Sequence, residues 1–173
     1  MSKNVAHPVK RQSGFTLIEI LVTMFILAIG LLGLAGLTVD GMRNNQGAYL
    51  RTQASILAYD MADRIRANRQ HAEDGSSYKD FSTVDASTNL PGCATEDTGC
   101  SPTQQATLDL VQWTRLIQGV GSGVTLLPAG EGTIAYDDAN GIFTVTVQWE
   151  EVAKDGESEG NVREDSFAVR FAL

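Results

Sequence analysis

The stretch Gly14–Leu37, GFTLIEILVTMFILAIGLLGLAGL, holds one charged residue, Glu19, in an otherwise apolar run. As a helix, the roughly 23 residues from Phe15 to Leu37 reach about 34 Å, enough to cross a bilayer core with some tilt. A carboxylate at the bilayer centre costs on the order of 3 kcal/mol, and less near the interface. Glu19 therefore needs a use that offsets this cost. Lys3, Lys10 and Arg11 precede the run, with no acid among the first fourteen residues. The positive-inside rule keeps that end in the cytoplasm and places everything beyond Leu37 outside it. A secretory signal has an apolar core of about 7 to 15 residues followed by a small-residue cleavage site. This run is longer, and its polar leader comes first. An uncleaved signal anchor accounts for the length and orientation, but gives no reason for Gly14 before Phe15 or for Glu19.

The 173 residues carry 13 basic and 21 acidic side chains, a net charge of -8. Without the first fourteen, ten basic residues face 21 acidic ones, which leaves -11. Nucleic acid is excluded as a partner, because phosphate neutralisation requires clustered Lys and Arg. Roughly 135 residues follow the apolar run, room for one modest domain. Its two cysteines, Cys93 and Cys100, lie on the non-cytoplasmic side, where disulfides persist. They close a small ring, so a disulfide is expected. Two thiols without a nearby His or further Cys make half a zinc site, and the spacing is not Cys-x-x-Cys.

At these residues the chain resembles a known family. GFTLIE, between a basic leader and a spanning run, is similar to the class III signal of type IV pilins and type II secretion pseudopilins. The resemblance implies cleavage by a prepilin peptidase between Gly14 and Phe15, with N-methylation of Phe15. It also implies that Glu19 acts in assembly by pairing with the N-terminal amine of a neighbouring subunit. Such a pair is sound chemistry: an α-amino group stays largely cationic at pH 7, and low dielectric strengthens the attraction. The alternative is a Glu19 that snorkels to the interface and complements the helix N-terminus.

Further along, AIGLLGLAGL (Ala28–Leu37) and LAYDMADRIRANR (Leu57–Arg69) together resemble the PilV type of minor pilin, with its Asp-x-x-Asp-Arg-x-Arg-Ala-Asn pattern. LDLVQW (Leu108–Trp113), LPAGEG (Leu127–Gly132) and FTVTVQW (Phe143–Trp149) are loosely similar. The implied fold is α+β: a long N-terminal helix packed on a small antiparallel β-meander. The implied organisation is a cleaved leader over 1–14, a transmembrane half-helix over 15–37, an amphipathic half over 38–69 and a periplasmic domain over 70–173. The implied role is that of a low-copy subunit that primes pilus assembly and sits at or near the filament tip. Its partners would be the prepilin peptidase, other minor pilins, the major pilin, a tip adhesin and the inner-membrane assembly platform. It would begin as a single-pass inner-membrane protein and end in the pilus at the cell surface, with no cofactor. A type II secretion pseudopilin shares the anchor and is the alternative.

Periodicity fills in the elements. Gly30, Gly33 and Gly36 recur at intervals of three and read either as a packing face or as a segment that melts during assembly. Leu50, Ala54, Leu57, Met61 and Ile65 form the apolar stripe of an amphipathic helix, with Asp60–Arg64 and Asp63–Arg66 as surface pairs. One helix from Phe15 to about Arg69 follows. Residues 70–100 are polar and turn-rich and read as a surface loop. SPTQ at Ser101–Gln104 has the form of a capping box with Pro at the first helical position. Ala106, Leu110, Trp113 and Ile117 then share a face, and Gly119 ends that helix. Thr133–Tyr136, Phe143–Trp149 and Phe167–Leu173 alternate as strands.

Enzymatic readings find little support. DGESEG (Asp155–Gly160) opens like a calcium loop, but its twelfth position is Ser166 rather than Glu, and a solvated acidic hairpin loop is the simpler reading. His7 lies in the leader, His71 is a lone surface histidine, and there is no nucleophile elbow or phosphate loop. A membrane-anchored periplasmic enzyme remains the alternative from another class, and the chain is expected not to be one.

Overall fold

A computed structural model describes residues 14–74, 77–121, 123–153 and 162–173. The chain divides into two compact units, one up to Met42 and one from Arg43 to Leu173. The first element, helix α1 (Leu17–Ala67), runs for 51 residues.

In the first unit α1 is apolar and exposed, and it is long and apolar enough to cross a membrane. Thr23 and Thr38 return their hydroxyl protons to the carbonyls of Ile20 and Leu34, which keeps two polar groups satisfied within an apolar segment. Gly30, Gly33 and Gly36 have open space where a Cβ would stand.

In the second unit the α1 stripe of Leu50, Ala54, Leu57, Met61 and Ile65 is buried, joined by Ala58 and Ala62. α1 ends at Ala67, two residues short of expectation, because Asn68 leaves helical geometry (φ −103°, ψ 40°) and a short helix α2 (Arg69–Glu73) follows. Helix α3 (Pro102–Gln118) starts on the expected box: Ser101 Oγ accepts from the Gln104 amide, and Gln104 Oε1 from the Ser101 amide. It stops at Gly119 in the left-handed region (φ 70°), where a Cβ would lie 2.8 Å from the Val124 carbonyl oxygen.

Four antiparallel strands follow in the order β1 (Phe81–Ser82), β2 (Glu131–Asp137), β3 (Ile142–Val152) and β4 (Val162–Ala172). Register aligns Val145 with Ile134 on one side and Val169 on the other, and Phe143 with Tyr136 and Phe171. The inward set of Phe143, Val145, Val147 and Trp149 shares one core with the α1 stripe and with Trp113 and Ile117 of α3. Trp113 Nε1 donates to the Leu57 carbonyl at 2.9 Å, which fastens α3 to α1. Gly132 is required here, since a Cβ would stand 2.5 Å from the Trp113 ring.

The stretch expected as loop, 70–100, also holds β1 and a 3-10 turn at Gly92–Thr95. A two-residue strand has no alternation to detect. It forms because β2 offers Thr133 and Ile134 as partners, and because buried Thr83 exchanges bonds with Gly132, its amide donating to the carbonyl and its Oγ1 accepting from the amide. The acidic loop Asp155–Gly160 lies outside the described residues.

Candidate functional site

The first candidate is the start of α1. Gly14, Phe15 and Thr16 precede the helix and are exposed, so the Gly14–Phe15 peptide bond is outside regular structure and accessible. Thr16 Oγ1 accepts from the Glu19 amide at 3.4 Å, and Glu19 Oε2 accepts from the Thr16 amide at 3.5 Å. The pair is a long-bonded capping box, with Glu19 covering a backbone donor that the helix itself leaves open. In hydrocarbon an unpartnered amide costs several kcal/mol, so Glu19 has a local task as well as a charge. The signal is legible as Thr-x-x-Glu before an apolar run, but reading Glu19 for its charge alone passes over it.

The second candidate is a polar cluster where α1 meets α3. Arg64 Nε donates to Asp60 at 2.8 Å, and its Nη1 donates to Gln112 at 2.7 Å and to Asp109 at 3.4 Å. Asp109, almost wholly buried, also accepts from the Tyr78 hydroxyl at 2.6 Å and from Gln105 at 2.9 Å. Asn68 donates to the Pro102 carbonyl at 2.7 Å and to the Tyr78 oxygen at 3.2 Å. Burial and the adjoining Asp109 carboxylate hold the Tyr78 hydroxyl well above the usual tyrosine range. Arg66 pairs with Asp63 at 2.9 Å and covers the Phe171 ring. Each named residue of the Asp60–Asn68 pattern, alanine aside, is thus spent on a contact. Sequence spacing reveals the two pairs internal to α1. It cannot reveal Tyr78, Asp109 or Gln112, which come from other elements.

Beside this cluster lies a groove of about 420 Å³ lined by Arg64, Ala67, Asn68, Cys100, Pro102, Gln105 and Asp109. Cys93 and Cys100 form a disulfide with Cα atoms 5.1 Å apart, joining the 3-10 turn to the residue before the Ser101 cap. No group of three or more His, Cys, Asp or Glu side chains that could hold a metal occurs among the described residues.

Two family models match the chain. The prokaryotic N-terminal methylation motif covers residues 9–35, and the model described as type IV pilin Tt1218 covers residues 36–111. Together they run without a gap from residue 9 through α1 into α3. The chain belongs to the type IV pilins. No curated protein and no solved structure matches it. A pilin is a structural subunit, and the methylation motif in this one implies processing by prepilin peptidase and assembly into pili. Its apolar N-terminal helix suits a membrane-anchored subunit that later enters the filament. His71, half-buried, meets the edge of the Tyr78 ring at a centroid distance of 6.2 Å and has Ser77 as its polar neighbour among the described residues.

Proposed function

We propose that this pilin is a PilV-type minor pilin, a low-copy subunit that primes pilus assembly and sits at or near the tip with other minor pilins. The observation that carries the reading is the use made of the Asp60–Asn68 pattern. The text that resembles PilV is the text that latches α1 to α3 through Arg64, Asp109, Gln112 and Asn68. Residues 1–14 are the leader, 15–37 span the inner membrane, 38–69 continue the helix, and 70–173 lie in the periplasm. Prepilin peptidase cuts between Gly14 and Phe15, Phe15 is N-methylated, and Glu19 exchanges its cap on Thr16 for the amine of a neighbouring subunit during docking. The protein catalyses no reaction. Its net charge of -11 after processing favours mixed contacts with other subunits over packing against copies of itself.

Crosslinking in living cells, with identification of the captured subunits, tests the assignment. Other minor pilins are the expected partners, and deletion should lower the number of surface pili more than alter their structure. Labelled protein along the whole length of sheared filaments would overturn it. So would an unchanged pilus number together with failed type II secretion, which would point to a pseudopilin.

A further inference from the structure

The turn between β2 and β3 holds the one Asn–Gly pair in the sequence, Asn140–Gly141. Asn–Gly suits a tight hairpin, because Gly141 takes the left-handed conformation (φ 67°) with no Cβ to strain it. The same missing side chain lets the Gly141 nitrogen approach the side-chain carbonyl carbon of Asn140, which is the path to a succinimide. Asn140 is exposed, so water reaches it. Yet both reacting groups are held by Asp137. The Gly141 amide donates to the Asp137 carbonyl at 2.8 Å, and Asn140 Nδ2 donates to Asp137 Oδ2 at 2.7 Å. Asp137 Oδ1 also accepts from the backbone amides of Ala139 at 3.0 Å and Asn140 at 3.3 Å. The Asn140 side chain foremost, with these amides and the Arg170 charge, holds the Asp137 carboxyl below the usual carboxylate range.

We propose that Asn140 is a self-modification site that Asp137 holds in check, and that its deamidation opens the hairpin turn for good. When the Asp137 contacts open, the Gly141 nitrogen loses its proton to solvent and bonds to Asn140 Cγ. The Cγ–Nδ2 bond breaks, and Nδ2 leaves as ammonia after taking a proton from water. One water then opens the succinimide at either carbonyl, giving Asp or isoAsp at position 140, with no oxidant or reductant involved. The product cannot resume the old contact. A carboxylate has no proton to donate, and across the 2.7 Å that the amide now bridges it would meet Asp137 oxygen to oxygen, where two carboxylates cannot both stay ionised without moving apart. The nearby cations are engaged: Lys79 pairs with Asp138 at 3.4 Å and lies over the Tyr136 ring, and Arg170 acts on Asp137. IsoAsp also lengthens the backbone by a carbon, which the pairing of Asp137 with Ile142 does not accommodate. The inference does not depend on the place of the subunit in the pilus.

The test follows the full chain in lipid nanodiscs, incubated in mildly alkaline buffer, with peptide mass spectrometry reading the fraction of Asn140 converted to Asp or isoAsp. The reaction draws on the open turn, so the folded chain should convert at least tenfold more slowly than the same chain in urea with its disulfide intact. Asp137→Asn keeps an acceptor for the Ala139 and Asn140 backbone amides but none for Asn140 Nδ2. It should speed conversion about fivefold while hydrogen exchange across the β3–β4 pairing stays as it was. Asn140→Asp, which mimics one product, should speed hydrogen exchange of the Gly141 amide several-fold beyond Asn140→Ala. Equal conversion in the folded and urea-unfolded chains overturns the check. An unchanged rate in Asp137→Asn, or a faster one only with the whole sheet loosened, overturns Asp137 as its source, and equal exchange in the two Asn140 variants overturns the opening of the turn.

Discussion

Replacing Tyr78 with Phe tests the cluster that joins α1 to α3. The substitution keeps the ring, which is fully buried, and removes one oxygen that donates to Asp109 at 2.6 Å and accepts from Asn68. Asp109 Oδ1 retains Arg64 and Gln105, and Asn68 retains the Pro102 carbonyl, but the buried Asp109 Oδ2 loses the Tyr78 donor. The loss is that of one hydrogen bond to a charged acceptor with the buried oxygen left unsatisfied, about 3 kcal/mol near neutral pH. For a unit running from Arg43 to Leu173 this corresponds to about 10 °C in melting temperature. Trp113 and Trp149, both in the core, report its unfolding by fluorescence in the micelle-bound protein. The difference should also depend on pH. Tyr78 keeps its proton in the folded state above the pH at which a free tyrosine loses it, so the unfolded chain binds fewer protons there. Stability of the natural protein then falls as pH rises past about 10, a loss the Phe variant does not share. The gap between the two proteins should be widest near pH 8 and should narrow above pH 10. Equal melting at pH 8, or a gap that widens with pH, would refute the reasoning.

Gly14→Val should leave the leader attached, whereas the natural protein should begin at N-methyl-Phe15 by mass spectrometry. Glu19→Leu should insert normally, since it makes the span more apolar, but incorporate poorly into pili; equal incorporation of both proteins would leave the carboxylate with its capping task alone. Gly132→Ala drives a methyl to 2.5 Å from the Trp113 ring and should cost about 1 to 3 kcal/mol in thermal unfolding, with no comparable penalty for Gly92→Ala, where a Cβ would stand 3.6 Å from Glu96 Oε1 in ordinary contact. Non-reducing alkylation should find no free thiol at Cys93 or Cys100, and Cys93→Ser/Cys100→Ser should lower stability by about 2 to 3 kcal/mol through loop entropy.

Much of this molecule is decided by local pattern, and for that reason it is legible in one dimension. A long apolar run makes a helix that is long and apolar enough to cross a membrane. The spacing of Leu50, Ala54, Leu57, Met61 and Ile65 turns the same helix into the spine of a core. Ser101–Gln104 and Gly119 bound α3 by chemistry that acts over three or four residues. The alternation through β3 presents Phe143, Val145, Val147 and Trp149 to one face, whatever lies opposite. Tertiary structure decides the rest, because the groups concerned act across long separations. Tyr78 and Asp109 meet from 31 positions apart, and Arg64 and Gln112 from 48. β1 exists because β2 supplies its partner, and Gly132 is obligatory because Trp113 arrives from another element. Whether a strand is an edge depends on the order of the whole sheet, so the place of β4 at the end of that order can be found only in the fold.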